Sequence, residues 1–166
     1  CRARQAGDFH DARYETRIRR NPNRMQVHLS REGHVDDVPV KLTKGVTLDA
    51  GANVLEVAYL LENLPQDRTF HFAAEMNFAG LPAGADDRYF RDMDGNRLGQ
   101  LGERMDLSGA SGLGLTDEWL GVDLSLTANR STGFWAFPIE TVSQSEGGFE
   151  LVHQSVAVVP HWHVQA

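Results

Sequence analysis

Polar side chains that could bind a hydroxyl-rich ligand lie in the segment from Phe70 to Phe78, where Glu75 and Asn77 alternate with apolar residues. Neighbouring side chains of a strand point to opposite faces, so these two would share the face that the aromatic residues do not use. Carboxylate and amide groups hydrogen-bond hydroxyls well, which makes both residues candidate carbohydrate contacts. The competing interpretation is an ordinary polar outer face of an antiparallel sheet.

Three tryptophans, Trp119, Trp135 and Trp162, each offer a flat apolar surface for the C–H face of a pyranose ring. Burial in a core is the alternative, because tryptophan is highly buried on average. Trp135 directly follows Phe134. Alternation therefore predicts that one of these two rings faces the core and the other lies on the far side of the sheet, without indicating which.

Two histidines, His161 and His163, have the spacing at which side chains on a strand share a face, as a metal-ligand pair does. His153 and Glu150 are candidate further ligands, but no recognised zinc spacing joins them, so we predict no metal site. A second motif imitates the start of a calcium loop, but its glycine falls at the fourth position rather than the sixth, and a turn is the better interpretation. It consists of Asp92, Asp94 and Asn96.

The sequence contains no motif for catalysis. It has no Gly-x-Ser-x-Gly elbow, P-loop or dinucleotide fingerprint, and Cys1 is its only cysteine. Acidic residues between Glu140 and Glu150 are close in sequence, but glycosidase chemistry needs two carboxylates facing each other across a bond. We therefore predict no catalytic residue and no cofactor.

The bulk properties fit a single globular domain covering residues 1–166. A formal charge of −7 argues against a nucleic-acid partner, and the arginines between Arg13 and Arg24 are interpreted as a solvated strand face. No apolar run has the length of a membrane helix, and no signal peptide is visible. One cysteine fits a reducing compartment, so a cytoplasmic location is expected, and Cys1 at position 1 suggests a fragment of a longer chain.

Apolar and polar residues alternate with a period of two along most of the chain, as in Met25 to Leu29 and Val122 to Leu126. Turn signals such as Asn21-Pro22-Asn23 separate the runs. About ten short strands of this kind predict an all-β, antiparallel β-sandwich. The glycine-rich segment from Gly80 to Gly114 is weakly patterned, and we expect a long excursion there with a hairpin around Asp94-Gly95.

One segment, Phe134 to Glu150 (FWAFPIETVSQSEGGFE), resembles the end of the C-terminal β-domain of glycoside hydrolase family 57 amylases and glucanotransferases. In that family a Tyr-Gln-Gly strand and a closing Trp come next, where this chain has His153-Gln154-Ser155 and Trp162, so Ser155 departs from the pattern. The opening Gly7-Asp8-Phe9 and the block from Pro39 to Leu48 are also similar to the family. The likeness covers nearly the whole chain.

This resemblance implies a galactose-mutarotase-like supersandwich joined to an N-terminal catalytic barrel that acts on α-glucans such as maltooligosaccharides by double displacement. The family's catalytic carboxylates belong to the barrel, so none carries over to this sequence. The signature is typical of a structural turn, or equally of a surface pressed against the barrel. Its candidate interdomain contacts are Glu140, Ser143, Ser145 and Glu146.

Two other functions stay open at this stage. A free-standing mutarotase or epimerase would need an acid and a base facing one sugar, for which Glu75 with His71, or His161 and His163, are candidates. An independent glycan-binding module would need the tryptophans on its surface. We rank both below a non-catalytic accessory domain.

Overall fold

A computed structural model describes residues 4–145 and 148–166 of the chain. The regular secondary structure of these residues is β-strand, and among them no helix has the length and apolarity of a membrane span. All strand pairs are antiparallel, so the predicted all-β antiparallel class is confirmed, with two sheets as a β-sandwich requires. The strands are β1 (Glu15–Asn21), β2 (Arg24–Val35), β3 (Val38–Asp49), β4 (Leu55–Glu62), β5 (Phe70–Ala73), β6 (Met76–Ala79), β7 (Arg88–Arg91), β8 (Arg97–Gln100), β9 (Met105–Asp117), β10 (Val122–Ser145) and β11 (Gly148–Val164).

The first sheet contains β1 to β4 in chain order, joined by short turns. Between β1 and β2 the side-chain oxygen of Asn21 accepts a hydrogen bond from the Asn23 amide at 3.0 Å, which closes the predicted Asn-Pro-Asn turn. The period-two pattern of β3 buries Val38, Val40 and Leu42 on one face. All of β1 is exposed, which agrees with the interpretation of its arginines as a solvated face.

The second sheet has seven strands in the order β5-β11-β10-β9-β7-β8, and β6 also pairs with β11. Its apolar side forms the main core, built from alternate residues of the long central strands β9, β10 and β11. The segment from Phe70 to Phe78, predicted as one strand, forms β5 and β6 on a common register against β11. The core residues are Leu81, Phe90, Leu101, Leu113, Leu115, Phe134, Ala136, Val156 and Val158.

The predicted excursion from Gly80 to Gly114 is correct in its hairpin and wrong in its extent. Strands β7 and β8 pair across the Asp94-Gly95 turn, as expected. However, β9 begins at Met105 and pairs with β10, so the last part of the segment is a strand. Two of its glycines are needed for space, because a Cβ at Gly112 would lie 2.6 Å from the Leu126 carbonyl oxygen and from Met93 Sδ, and a Cβ at Gly114 would lie 2.6 Å from Arg91 Cζ.

The chain divides into two compact units. One holds the described residues up to Thr69 together with Gln165 and Ala166, and the other is Phe70–Val164. The first contains the four-stranded sheet and the second contains the seven-stranded sheet. That residues 1–166 act as a single domain stays a prediction.

Candidate functional site

The seven-stranded sheet carries its functional candidates on the face opposite the core, called here the histidine face. Ala73 pairs with His161 and Met76 with Val158, so Glu75, between them, lies beside Val159. Val159 pairs with Trp135 in the next strand. Strand register therefore brings residues that are far apart in sequence onto the same face of the sheet. The histidine face carries His71, Glu75, Asn77, Asp106, Gly133, Trp135, His161 and His163.

Three imidazoles and one indole form the centre of the histidine face. The rings of His71 and His163 stack with centroids 4.6 Å apart and planes 5° from parallel. His71 Nε2 and His161 Nδ1 are 2.9 Å apart, a hydrogen bond. The His161 ring in turn lies 4.2 Å from the Trp135 ring, and His71 meets Trp135 edge-on at 5.3 Å. Each ring thus fixes the position of its neighbours.

His161 lies directly over Gly133, its cross-strand partner. His161 Nε2 is buried and has no hydrogen-bond partner among the residues that the structure describes. If Nδ1 carries the proton and donates to His71, only a lone pair is left at Nε2, which costs less than an orphaned N–H. A Cβ at Gly133 would overlap the imidazole ring, so the absence of a side chain there is what allows His161 to lie against Trp135.

We expect Gly133→Ala to push the His161 ring away from Trp135 and to lower the free energy of unfolding by about 1–3 kcal/mol, the usual cost of overpacking. Near-ultraviolet circular dichroism and tryptophan fluorescence would detect the change beside the indole. Gly45→Ala is the matched control, because a Cβ at Gly45 meets only the Ala58 Cβ at 4.0 Å. Equal effects of the two substitutions would contradict this account of Gly133.

Two imidazoles of the histidine face, those of His71 and His161, resist protonation. Burial and then the nearby His163 lower the pKa of His71 below its ordinary value of 6.5. Burial, then His71 and His163, also lower the pKa of His161, while the carboxylate of Asp106 acts in the opposite direction. Burial, aided by the neighbouring imidazoles, therefore favours the neutral forms of His71 and His161, in which one ring nitrogen donates and the other accepts.

This gives a pH dependence with a definite sign. Because the folded-state pKa values lie below those of the unfolded chain, the unfolded chain binds more protons in this range. The stabilisation is present above about pH 6.5 and is lost as the pH falls through the lower, folded-state values. Urea unfolding from about pH 7.5 down to about pH 5.5 should show this decline, and His71→Gln should flatten it. An unchanged slope in the variant would contradict the assignment.

Glu75 and Asn77 form a second polar group on the histidine face. Asn77 Nδ2 donates a hydrogen bond to Glu75 Oε1 at 2.9 Å, and both side chains are exposed. They lie on the face opposite Met76 and Phe78, as the alternation predicted. This hydrogen bond does not use the second carboxylate oxygen of Glu75 or the amide oxygen of Asn77. Those two oxygens are suitable acceptors for sugar hydroxyls.

The other tryptophans have different surroundings. Trp162 is half-buried on the opposite side of the sheet from His161 and donates its indole N–H to Thr132 Oγ1 at 2.8 Å. It also stacks on Phe72, with ring centroids 5.9 Å apart. Trp119 is 77% exposed at the turn between β9 and β10. The structure thus places Trp135 in the histidine cluster and separates the other two candidates from it.

Three of the candidate interdomain residues, Glu140, Ser143 and Ser145, lie where β10 and β11 extend beyond their neighbours. Glu140 is exposed and pairs with His153, and Ser143 is half-buried and pairs with Glu150. Ser145 is the last residue of β10, and Glu146 lies outside the described residues. The arrangement therefore keeps Glu140 and Ser143 on one hairpin, on opposite faces of it.

No grouping of His, Cys, Asp or Glu suited to a metal ion occurs in the described ranges 4–145 and 148–166. The calcium-like segment instead forms a turn, as the sequence favours. The Asp92 carboxylate accepts hydrogen bonds from the backbone amides of Asp94 at 2.9 Å and Asn96 at 2.8 Å. Its oxygens are thus occupied by the protein's own donors.

The sequence analysis missed two residues of the unit Phe70–Val164 that hold other groups in place, Gly133 and Asp117. Gly133 was not singled out, because a glycine that seats a ring from the next strand has no local signature. Asp117 was missed too, although it is completely buried and accepts hydrogen bonds from Arg88 Nε at 3.2 Å and the Leu120 amide at 2.9 Å. Its position two residues before Trp119, just ahead of a turn that contains Gly121, was the available signal.

On one face of its seven-stranded sheet, this antiparallel all-β chain brings together a tryptophan, clustered imidazoles and a carboxylate–amide pair. The chain belongs to the family described as alpha-amylase/4-alpha-glucanotransferase, C-terminal, whose model matches residues 1–166. This confirms the resemblance found from the segment Phe134 to Glu150.

Two relatives illustrate the likeness. Alpha-amylase 1 of Dictyoglomus thermophilum is 25% identical over 130 residues, which are 75% of this chain and 18% of that protein. The crystal structure of 4-alpha-glucanotransferase from Thermococcus litoralis matches 96% of this chain and 22% of its own, with a TM-score of 0.66 and 23% identity, and so shows a shared fold. The chain spans about a fifth of the length of either relative.

Proposed function

We propose that this chain is the non-catalytic C-terminal accessory domain of a cytoplasmic glycoside hydrolase family 57 enzyme that hydrolyses or transfers α-glucans. In this proposal it supports an N-terminal catalytic barrel of the same polypeptide. The observation that carries it is the match of residues 1–166 to a family described as the C-terminal part of such enzymes. The lack of a catalytic motif in the sequence supports the same division of labour.

The histidine face is proposed to contact the α-glucan. Trp135 offers an apolar ring that is only partly exposed, so a pyranose could cover its accessible edge, and Glu75 with Asn77 lies across Val159 from it. A sugar ring presents an apolar C–H face, which can stack on an indole, and hydroxyl groups, which can hydrogen-bond to a carboxylate–amide pair. Asp106 pairs with Trp135 on the other side and adds a further acceptor.

The division of labour is tested by comparing this chain with the full-length product of its gene on maltooligosaccharides. We expect the full-length protein to shorten or disproportionate them and this chain to leave them unchanged. Activity of residues 1–166 alone would overturn the proposal. A gene product without any N-terminal catalytic part would also overturn it.

Glucan contact is tested by titrating glycogen or maltoheptaose while tryptophan fluorescence is followed. Trp135→Ala is expected to weaken binding by about tenfold or more, the usual cost of losing a central aromatic contact. Trp119→Ala is the matched control, since Trp119 is exposed but lies outside the histidine face. If only the Trp119 variant lost binding, the sugar site would be at the β9–β10 turn instead. If no saturable binding were seen at all, the proposal of glucan contact would be wrong.

A second candidate function, an aldose mutarotase, is favoured by one observation: Glu75 shares a face with His71, His161 and His163. Those groups provide both acids and bases. Against it, His71 and His161 bond each other, and Glu75 bonds Asn77. Mutarotation of glucose or galactose by this chain, abolished by Glu75→Gln, would establish this function in place of the first.

A further inference from the structure

Strands β10 and β11 continue past the rest of their sheet as a two-stranded ribbon, defined here as residues 140–145 and 148–153. Within the described residues, β9 pairs with β10 only as far as Ala136, and β6 pairs with β11 only from Ser155 onward. Beyond these points β10 and β11 pair with each other alone, from Glu140 with His153 to Ser145 with Gly148. An isolated two-stranded hairpin is marginally stable in water.

One face of the ribbon, called here the apolar face, carries three exposed apolar side chains, with Gln144 opposite Phe149 and the Glu140–His153 pair at its base. Val142 pairs with Leu151 and each is 66% exposed, and Phe149, two residues farther along that face, is 78% exposed. The other face has Ser143 opposite Glu150 and Thr141 opposite Val152, with the Thr141 hydroxyl accepting a hydrogen bond from Gln154. Alternation thus divides the ribbon into an apolar face and a mostly polar face, although both strands extend away from the core.

The base of the ribbon is held in place by a long-range contact. His153 Nε2 donates a hydrogen bond to the carbonyl oxygen of Leu81 at 3.0 Å, and Leu81 belongs to the core. A bulge between Ile139 and Glu140 lies at the same level. Bulges bend a strand and so set the direction in which its remaining residues run. The apolar face is therefore presented in a fixed direction.

We infer that the apolar face of the ribbon docks into an apolar groove on the catalytic part of the same polypeptide. This inference rests on the proposed function. Three large side chains exposed together on an otherwise unsupported hairpin indicate a surface that is covered in the working molecule. The chain matches only 18–22% of the length of its relatives, so most of such a polypeptide lies outside residues 1–166 and is available to cover it.

A second copy of this chain is a poorer occupant than the catalytic part. The chain carries a formal charge of −7, and Glu140 lies on the apolar face of the ribbon itself. Two copies meeting at this surface would bring like charges together, which disfavours association. A catalytic part linked in the same polypeptide also meets the ribbon at a high effective concentration, without the cost of bimolecular association.

Hydrogen exchange of the ribbon amides, measured in this chain alone and in the full-length product of its gene, tests the inference. The outer-edge amides of residues 141–144 and 149–152 should exchange at least tenfold more slowly in the full-length protein. The double variant Val142→Lys/Leu151→Glu puts an opposite-charge pair on the apolar face, which keeps cross-strand attraction. In the full-length protein it should return exchange to the rate of the isolated chain.

The matched control is Ser143→Lys, which faces the native Glu150 and makes the same kind of pair on the opposite face; the inference leaves that face uncovered and so does not keep Ser143 as an interdomain contact. This variant should leave the protection intact. Equal exchange in the isolated and full-length proteins would overturn the docking, as would equal loss in both variants. Protection that rises with the concentration of the isolated chain would make a second copy the occupant instead. Activity on maltooligosaccharides, measured in parallel, separates failure of the docking from failure of the proposed function.

Discussion

Phe134→Ala is expected to lower the free energy of unfolding by about 3–5 kcal/mol, because truncation of a buried aromatic ring costs both its transfer free energy and the cavity it leaves. Phe134 is 1% exposed and belongs to the main core. Its cross-strand neighbours are Pro160 on one side and Leu107 on the other, so the cavity would lie in the middle of three strands. Urea unfolding measures the loss directly.

Tryptophan fluorescence is a suitable probe for that experiment, since all three tryptophans belong to the unit Phe70–Val164. The comparison is Trp135→Ala, one residue later on the opposite face and partly exposed. It should cost less stability than Phe134→Ala while removing the aromatic platform of the histidine face. The reverse order, with Trp135 the more costly, would mean that the histidine face is the one held in the core.

Alternation in the sequence predicted that Phe134 and Trp135 face opposite sides, and the structure assigns Phe134 to the core. The pattern does not distinguish them because both neighbours are large and aromatic. The assignment depends on which face meets apolar partners on other strands, such as Leu113 and Val156. Local periodicity therefore predicts that a strand has two faces, and tertiary contacts decide which face is buried.

Glycine-rich sequence misled the prediction for β9. Composition around Gly112 and Gly114 indicates a loop, yet both residues lie in the middle of the sheet. The cause is the side chains of Met93 and Arg91 on another segment, which occupy the space where a Cβ would be. A glycine required by a neighbour distant in sequence looks the same as a glycine required by a turn. That part of the fold could not be predicted from local signals.

The histidine face, too, could be predicted only in part from local sequence signals. His161 and His163 are recognisable as a pair because they are two residues apart on one strand, whereas His71 lies 90 residues from its partner His161. Only the register that sets His71 opposite His163 brings the three rings together. A shift of that register by one residue would send His71 to the other face. The residue types were visible in the sequence, but their meeting depended on strand pairing.

Asp117→Ala should be the most damaging polar substitution, with a loss of about 3 kcal/mol or more, as expected when one partner of a buried ion pair is removed. Its carboxylate is completely buried and accepts hydrogen bonds from Arg88 Nε and the Leu120 amide. The Arg88 side chain is only 17% exposed, and its second ion pair is the longer contact to Asp87, at 3.5 Å. The variant therefore leaves a nearly buried guanidinium underpaired and a turn amide without its acceptor.

Two further variants separate these effects. Asp117→Asn retains an oxygen for one of the donors and removes the charge, so its loss of stability should be intermediate. Glu118→Gln, the neighbouring residue, breaks an exposed ion pair with Arg97 and should cost no more than about 1 kcal/mol. If urea unfolding gave the same loss for Glu118→Gln as for Asp117→Ala, burial would not be what makes the Asp117 pair important. Because Asp117 anchors the turn at Leu120, its loss should also change the fluorescence of the adjacent, exposed Trp119, which Glu118→Gln should leave in place.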